Sequence, residues 1–84
     1  MKPRKEMTIE ERARCYARLL NLGVNEYSDN VRMKKGKYHF YNECVDLTLP
    51  TQEFVAYFER EFPAEQIDEW MSDFEEIPEN PDEE

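Results

Sequence analysis

The middle of the chain alternates apolar and polar residues, which is typical of β-strands that bury one face. The apolar positions in this part are Val31, Met33, Tyr38, Phe40, Val45, Leu47 and Leu49. Breaks in the pattern at Lys35-Gly36 and at Asn42-Glu43 predict two-residue turns. We therefore expect a three-stranded antiparallel meander in which Val31 lies opposite Phe40, and Phe40 lies opposite Val45, on one buried face.

Helical periodicity precedes the meander. Apolar residues recur at three- and four-residue spacing on one side of this predicted helix, namely Ile9, Ala13, Tyr16, Leu19 and Leu20. Thr8 and Glu11 are spaced as a capping box, so the helix should begin at Thr8. Gly23 is placed for a left-handed C-cap, so the helix should end near Leu22.

Two further helices are predicted after the meander. Pro50 should end the third strand, and Thr51 is expected to cap the second helix, whose apolar side is formed by Phe54, Val55, Phe58 and Phe62. Pro63 disfavours helical angles at Phe62, so the second helix should end at Phe62 and a third should begin at Pro63. Its apolar side is formed by Ile67, Trp70, Met71 and Phe74.

The sequence therefore predicts an α+β fold of order αβββαα, with the helices packed on one face of the three-stranded sheet. With 84 residues the chain has room for one domain, which we expect to span residues 1–77. Residues 1–7 are polar and are expected to be frayed. Residues 78–84 contain only proline and polar or acidic side chains, so we expect a disordered acidic tail.

Charge is distributed unevenly along the chain. The net charge is −9, but residues 1–42 hold 10 basic and 5 acidic residues (+5), whereas residues 43–84 hold one basic and 15 acidic residues (−14). Such an asymmetry indicates a dipolar surface that steers charged partners. The acidic half argues against nucleic acid as the principal ligand.

Little in the sequence points to catalysis, a metal or a cofactor. Cys15 and Cys44 lie in no paired motif, so we expect two reduced thiols in a cytoplasmic protein. No phosphate-binding loop, metal-ligand spacing or nucleophile motif is present. The sequence contains neither a signal-peptide core nor a run of about 20 apolar residues, so no membrane association is expected. We predict a protein that is not an enzyme and that holds neither a metal nor a cofactor.

The outer face of the predicted sheet is basic, and Arg32, Lys34, Lys37 and Tyr41 form a candidate nucleic-acid surface. The element order αβββα is similar to that of double-stranded-RNA-binding domains, although the second helix here starts with Thr51 and Glu53 instead of basic residues. In the predicted register His39 lies across the strand from Asp46, with Cys44 nearby. Diagonal neighbours in a sheet are about 7 to 8 Å apart, so we favour an exposed histidine over a nucleophile site.

Acidic residues line the third helix opposite its apolar side. Glu65, Glu69, Asp73 and Glu76 follow one another at three- and four-residue spacing, with Asp68 and Glu75 beside them. No Lys or Arg on this helix offsets them, although like charges at this spacing cost a few tenths of a kcal/mol per pair. Carboxylates about 5 to 6 Å apart approach the charge density of a nucleic-acid backbone. A solvated face that keeps a small protein soluble explains the same pattern.

The chain is acidic, and its elements follow the order αβββαα through the segments KKGKYHFYNECVDLTLP, TQEFVAYFEREF and EQIDEWMSDFEE. In these features it resembles the small phage anti-CRISPR and antirestriction proteins that mimic DNA. The resemblance implies a non-enzymatic inhibitor that presents the acidic helix and tail to a basic, nucleic-acid-binding protein. The partner-binding residues would be Glu65, Asp68, Glu69, Asp73, Glu75 and Glu76. Two alternatives remain: an antitoxin-like or adaptor module that binds a protein, and an RNA-binding domain that uses the basic sheet face.

Overall fold

The computed structural model describes residues 3–25 and 29–73. Over these residues the elements follow the predicted order: α1 (Ile9–Asn21), β1 (Asn30–Lys34), β2 (Lys37–Tyr41), β3 (Asp46–Pro50), α2 (Thr51–Glu61) and α3 (Ala64–Asp73). The strands form one antiparallel sheet of order β1-β2-β3. The α+β fold is therefore confirmed. The predicted tail, residues 78–84, lies outside the described residues.

The first hairpin has the predicted register, with Val31 opposite Phe40. Its two-residue turn consists of Lys35 and Gly36, whose φ angles are 55° and 78°. Positive φ at both central residues is the signature of a type I′ turn, whose twist matches that of the flanking strands. Gly36 adopts this angle without steric cost because it has no Cβ.

The second hairpin differs from the prediction by two residues, because four residues instead of two connect its strands. Phe40 lies opposite Leu47, not opposite Val45. The side-chain oxygen of Asn42 closes the turn by accepting hydrogen bonds from the backbone N–H groups of Cys44 (2.7 Å) and Val45 (2.8 Å). This side-chain turn satisfies the backbone N–H groups of Cys44 and Val45 within the connection itself.

The corrected register leaves the faces of the sheet unchanged, because a shift of two residues keeps every side chain on its own side. Leu47 and Leu49 still pack against the core. Cys44, however, lies in the turn, and the residue opposite Tyr41 is Asp46. The predicted register, with Phe40 opposite Val45, would have placed Cys44 opposite Tyr41, and this pairing is wrong.

Both ends of α1 agree with the prediction. The Thr8 hydroxyl accepts a hydrogen bond from the Glu11 N–H (3.1 Å), and the Glu11 carboxylate accepts one from the Thr8 N–H (2.9 Å). Gly23 follows the helix with a φ of 89°. Ile9 was predicted to be buried but is 37% exposed, although it lies on the same stripe as Ala13. The first turn of α1 therefore extends beyond the packed core.

The start of α2 differs from the prediction, whereas the corner between α2 and α3 agrees with it. Pro50 occupies the N-cap position of α2, and Thr51 is the first helical residue. The Thr51 hydroxyl donates a hydrogen bond to the carbonyl of Gly36 (3.3 Å) in place of capping the helix. Phe62 has extended backbone angles, as expected before proline, and the Pro63 carbonyl accepts the first hydrogen bond of α3 (3.0 Å).

The core lies between the sheet and the helices, and aromatic stacking dominates it. Tyr16 of α1 stacks on Phe58 of α2 with ring centroids 4.2 Å apart, and Tyr38 of β2 stacks on Phe54 of α2 at 4.8 Å. Trp70 of α3 meets Phe58 edge-on at 6.4 Å and stays partly exposed. Because α2 contacts α1, α3 and the sheet, it is the central element of the packing.

The described residues that precede α1 include a short helical turn. A 3-10 turn, Arg4–Glu6, precedes α1 where a frayed segment was expected. Arg4 fixes this turn to the helices, because its guanidinium donates a hydrogen bond of 3.0 Å to Asp68 of α3. This contact affects the candidate site, since Asp68 is one of the predicted partner-binding residues.

Candidate partner-binding surfaces

The exposed side of α3 carries carboxylates, as the sequence predicts. Glu65, Glu69 and Asp73 are exposed, whereas Ile67 and Met71, on the other side of the helix, are buried. Burial of one side of an amphipathic helix fixes which residues point to solvent. The helix therefore presents its acids on a rigid element, at the spacing of successive turns.

We call the exposed acids of α3 the acidic face, which consists of Glu65, Asp68, Glu69 and Asp73. Glu69 accepts a weak hydrogen bond of 3.4 Å from Gln66. Within residues 3–25 and 29–73, neither Glu65 nor Asp73 forms a salt bridge. Glu75, Glu76 and Phe74, which the sequence assigned to the same helix, lie outside the described residues.

Asp68 differs from its neighbours because it has a cationic partner. Nε of Arg4 donates to its Oδ1 at 3.0 Å, and 60% of the Asp68 side chain remains exposed. This hydrogen bond raises the pKa of the Arg4 guanidinium above its usual value. The expectation that α3 lacks basic neighbours holds along the helix itself, but the N-terminal turn supplies one from elsewhere in the chain.

A polar network that the sequence does not reveal lies beside the acidic face and is centred on Glu59 of α2. Its Oε2 accepts a hydrogen bond from the hydroxyl of Tyr16 (2.6 Å) and one from Nη1 of Arg12 (3.2 Å), and Nη1 of Arg4 lies 3.5 Å away. Nε of Arg12 also donates to the carbonyl of Arg4 (3.0 Å). The four-residue spacing of Arg12 and Tyr16 on α1 was a signal of a shared face, but nothing local identified Glu59.

Tyr16 occupies the buried end of this network. The residue has no solvent exposure. Burial raises the pKa of its phenol above the usual value, and the hydrogen bond to Glu59 raises it further. The phenol therefore stays protonated and acts as a donor, so that this end of the network stabilises the helix packing instead of supplying an ionisable group for chemistry.

The second candidate surface is the outer face of the sheet. Arg32, Lys34 and Lys37 are exposed on it, and Tyr41 is partly exposed. We call these residues, together with His39, the basic sheet face. The ring centroids of His39 and Tyr41 lie 4.8 Å apart with an angle of 32° between the rings. The face therefore combines three cations with a pair of aromatic rings.

His39 is hydrogen-bonded to Asp46, which the predicted register placed directly across the strand from it and the observed register places on a diagonal. Nε2 of His39 lies 2.8 Å from Oδ1 of Asp46, although Asp46 is paired in the sheet with Tyr41. The two side chains lean toward each other across the diagonal. Cys44 lies in the β2–β3 turn, where its N–H is bonded to Asn42. The histidine is thus paired with a carboxylate on an exposed surface.

A buried acid is a further feature that the sequence did not single out. Asp29 is 6% exposed, and its carboxylate accepts hydrogen bonds from the side-chain amides of Asn25 (2.8 Å) and Asn42 (2.7 Å). The bond to Asn42 joins the segment before β1 to the β2–β3 turn. The alternation pattern indicated Asn42 only as part of a turn, whereas its side chain also satisfies the buried carboxylate of Asp29.

The described residues contain neither a metal-binding cluster nor a membrane-spanning helix. Among them, no group of three or more His, Cys, Asp or Glu side chains is arranged to hold a metal ion. None of the helices described there is long and apolar enough to cross a membrane. Comparison of the chain with protein-family models, with curated proteins and with solved structures gives no match.

Proposed function

We propose that the protein is a non-enzymatic inhibitor that binds a basic, nucleic-acid-binding protein through the acidic face, as the phage anti-defence proteins that mimic DNA do. One observation carries this proposal. The exposed side of α3 holds Glu65, Glu69 and Asp73, and the helix contains no basic residue to neutralise them. Repulsion among these carboxylates costs the free protein stability, and a basic groove would relieve it.

The support beneath α3 favours the proposal because it holds the carboxylates in place. Ile67 is fully buried and Met71 is 6% exposed, so the helix cannot turn without disrupting the core. A preorganised surface loses less conformational entropy on binding than a flexible acidic segment does.

Charge reversal on the acidic face tests the proposal. The target is first captured from a bacterial lysate at low salt and purified, and its affinity is then measured for the double variant Glu69→Lys/Asp73→Lys. We expect binding at least about tenfold weaker, because two attractive contacts become repulsive. Double-stranded DNA should compete with the protein for this target, and about 0.5 M salt should weaken the complex by screening.

The matched control is the double variant Glu10→Lys/Glu53→Lys, which changes the net charge equally at exposed positions of α1 and α2. Its affinity should stay close to that of the original protein. Glu11 is unsuitable as a control because its carboxylate caps α1. Binding that survives both the reversals on α3 and high salt would exclude the acidic face as the contact surface.

A further inference from the structure

We propose that the basic sheet face is a second binding surface and that its ligand is single-stranded nucleic acid. This inference does not depend on the acidic face or on the protein partner proposed for it. The two surfaces do not overlap, because the helices pack on the inner side of the sheet. Tyr38 and Phe40 point to that side and are buried, whereas Arg32, Lys34 and Lys37 are exposed on the other.

The cations of this face are spaced along two adjacent strands. Arg32 lies opposite His39, and Lys34 lies opposite Lys37. Residues two apart on a strand are about 6 to 7 Å apart, and residues directly opposite one another are about 4.5 to 5.5 Å apart. Three positive side chains therefore project from one small area toward the same side. A phosphate backbone lying across β1 and β2 meets all three.

The aromatic pair distinguishes this surface from a simple basic patch. His39 and Tyr41 lie on the central strand, with ring centroids 4.8 Å apart, and both are partly exposed. An accessible aromatic ring offers a stacking platform for an unpaired base, whatever its identity. Bases inside a duplex are already stacked on their neighbours, so this arrangement favours a single strand.

The net charge of −9 does not prevent this interaction, because the local charge of the face is positive. Asp46 is the only carboxylate on the outer side of the described strands, and it is hydrogen-bonded to His39. Lys35, in the adjoining turn, adds a further positive charge. At physiological ionic strength a charge acts over about 8 Å, so the acids on other surfaces are largely screened.

Fluorescence anisotropy with a labelled oligonucleotide of about ten nucleotides tests the proposal at about 50 mM salt. The same sequence is used as single-stranded RNA, single-stranded DNA and duplex DNA. Both single strands should bind, and the duplex should bind at least about tenfold more weakly. If Arg32, Lys34 and Lys37 each contact one phosphate, a plot of the logarithm of the affinity against the logarithm of the salt concentration should have a slope of about −2.

Two pairs of variants separate stacking from charge. Tyr41→Ala should weaken single-strand binding about 5- to 150-fold, whereas Tyr41→Phe, which keeps the ring, should bind within about twofold of the original protein. Lys37→Ala should make the salt slope shallower by about 0.7. Lys5→Ala is the matched control, because Lys5 is an exposed lysine of the N-terminal turn and should leave the slope unchanged. Thermal unfolding confirms that each variant is folded.

Several outcomes would overturn the proposal. Absence of binding at low salt excludes a nucleic-acid surface. Equal affinity for duplex and single strand, with Tyr41→Ala unaffected, shows charge attraction without stacking. If polyglutamate displaces the labelled oligonucleotide as effectively as an unlabelled oligonucleotide does, the ligand of this face is an acidic protein. Sedimentation that reveals self-association of the free protein, lost in Lys37→Ala, assigns the face to a second copy of the chain.

Discussion

The hydroxyl of Tyr16 donates a hydrogen bond of 2.6 Å to Oε2 of Glu59, while the ring of Tyr16 stacks on the adjacent Phe58. One side chain of α1 thus contacts α2 through both its apolar ring and its polar end. Arg12 and Arg4 approach the same carboxylate from other elements. The contact joins α1, α2 and the N-terminal turn, and the last two of these also contact α3.

Removing only the Tyr16 hydroxyl should therefore destabilise the fold. We expect Tyr16→Phe to lower the free energy of unfolding by about 1 to 2 kcal/mol, because the hydrogen bond has a charged acceptor and a buried donor. Tyr41→Phe is the matched control at a partly exposed position and should change stability by less than about 0.5 kcal/mol. Urea denaturation measures both, and equal midpoints for the two variants would contradict the role of this bond.

Stability should decline at alkaline pH through the buried thiol of Cys15. Burial raises the pKa of Cys15 from 9.0 to about 11. The unfolded chain then loses this proton at lower pH than the native protein does. The stability that the protonated thiol contributes is therefore fully present below pH 9.0 and is lost as the pH rises toward about 11. Urea denaturation across this range should show a shallower decline in Cys15→Ala. Parallel pH profiles would show that the thiol is not responsible.

The first hairpin turn should respond in opposite directions to changes at its two central residues. Lys35 has a φ of 55°, which is unfavourable for a lysine, and asparagine tolerates it better, so Lys35→Asn should stabilise by a few tenths of a kcal/mol. Gly36→Val should lower the free energy of unfolding by about 1 to 2 kcal/mol, because a φ of 78° is unfavourable for valine. Steric contacts add nothing to this cost, since no atom lies within 4 Å of a Cβ built at Gly36. Thermal unfolding with Lys34→Asn as control tests this. A stable Gly36→Val protein would mean that the turn rearranges.

Phe58 and Trp70 should differ in their contributions to the core, although the sequence places both on the apolar sides of their helices. Replacing a fully buried Phe or Trp by alanine costs about 3 to 5 kcal/mol. Phe58 is 1% exposed and contacts Tyr16, Phe62 and Trp70. Trp70 is only partly buried, so we expect Trp70→Ala to cost about half as much as Phe58→Ala. Calorimetry compares the two variants. A larger loss in Trp70→Ala would place the tryptophan nearer the centre of the packing.

The two hairpins show what the hydrophobic pattern can determine in this chain. Alternation predicted which side chains face the core in both hairpins, but registers that differ by two residues place the same side chains on that face. Lys35-Gly36 fixed the first register because its turn chemistry is specific. At the second turn the four-residue connection depends on hydrogen bonds that Asn42 makes to its own backbone neighbours, and the alternation pattern carries no information about them.

On the acidic face, the sequence predicted which residues are exposed but not which of them has an ion-pair partner. The helical period placed Glu65, Glu69 and Asp73 on one side of α3, and the exposure of these residues agrees with it. The partner of Asp68 is Arg4, which is 64 positions away in the sequence, so no local pattern links them. Ion pairs of this kind depend on how helices pack, and packing is decided by the whole core.

Arg4 connects the network around Glu59 to the acidic face. Its guanidinium donates to Asp68 at 3.0 Å and lies 3.5 Å from Glu59, with only 20% of the side chain exposed. Arg4→Gln should therefore loosen the N-terminal turn, lowering the free energy of unfolding by about 1 kcal/mol. Lys5→Gln removes the same charge from the same turn at an exposed position and should have little effect.

The two variants should also differ in partner binding if the acidic face is the contact surface. Arg4→Gln leaves Asp68 without its guanidinium, so one more carboxylate of the face becomes available to a basic groove. Its affinity for the purified target should rise about two- to fivefold, since exposed charge pairs contribute about 0.2 to 1 kcal/mol each. Lys5→Gln makes the net charge equally more negative without releasing a carboxylate. Titration calorimetry with both variants therefore separates a specific effect of Asp68 from a general effect of net charge, and equal affinities would exclude Asp68 from the contact.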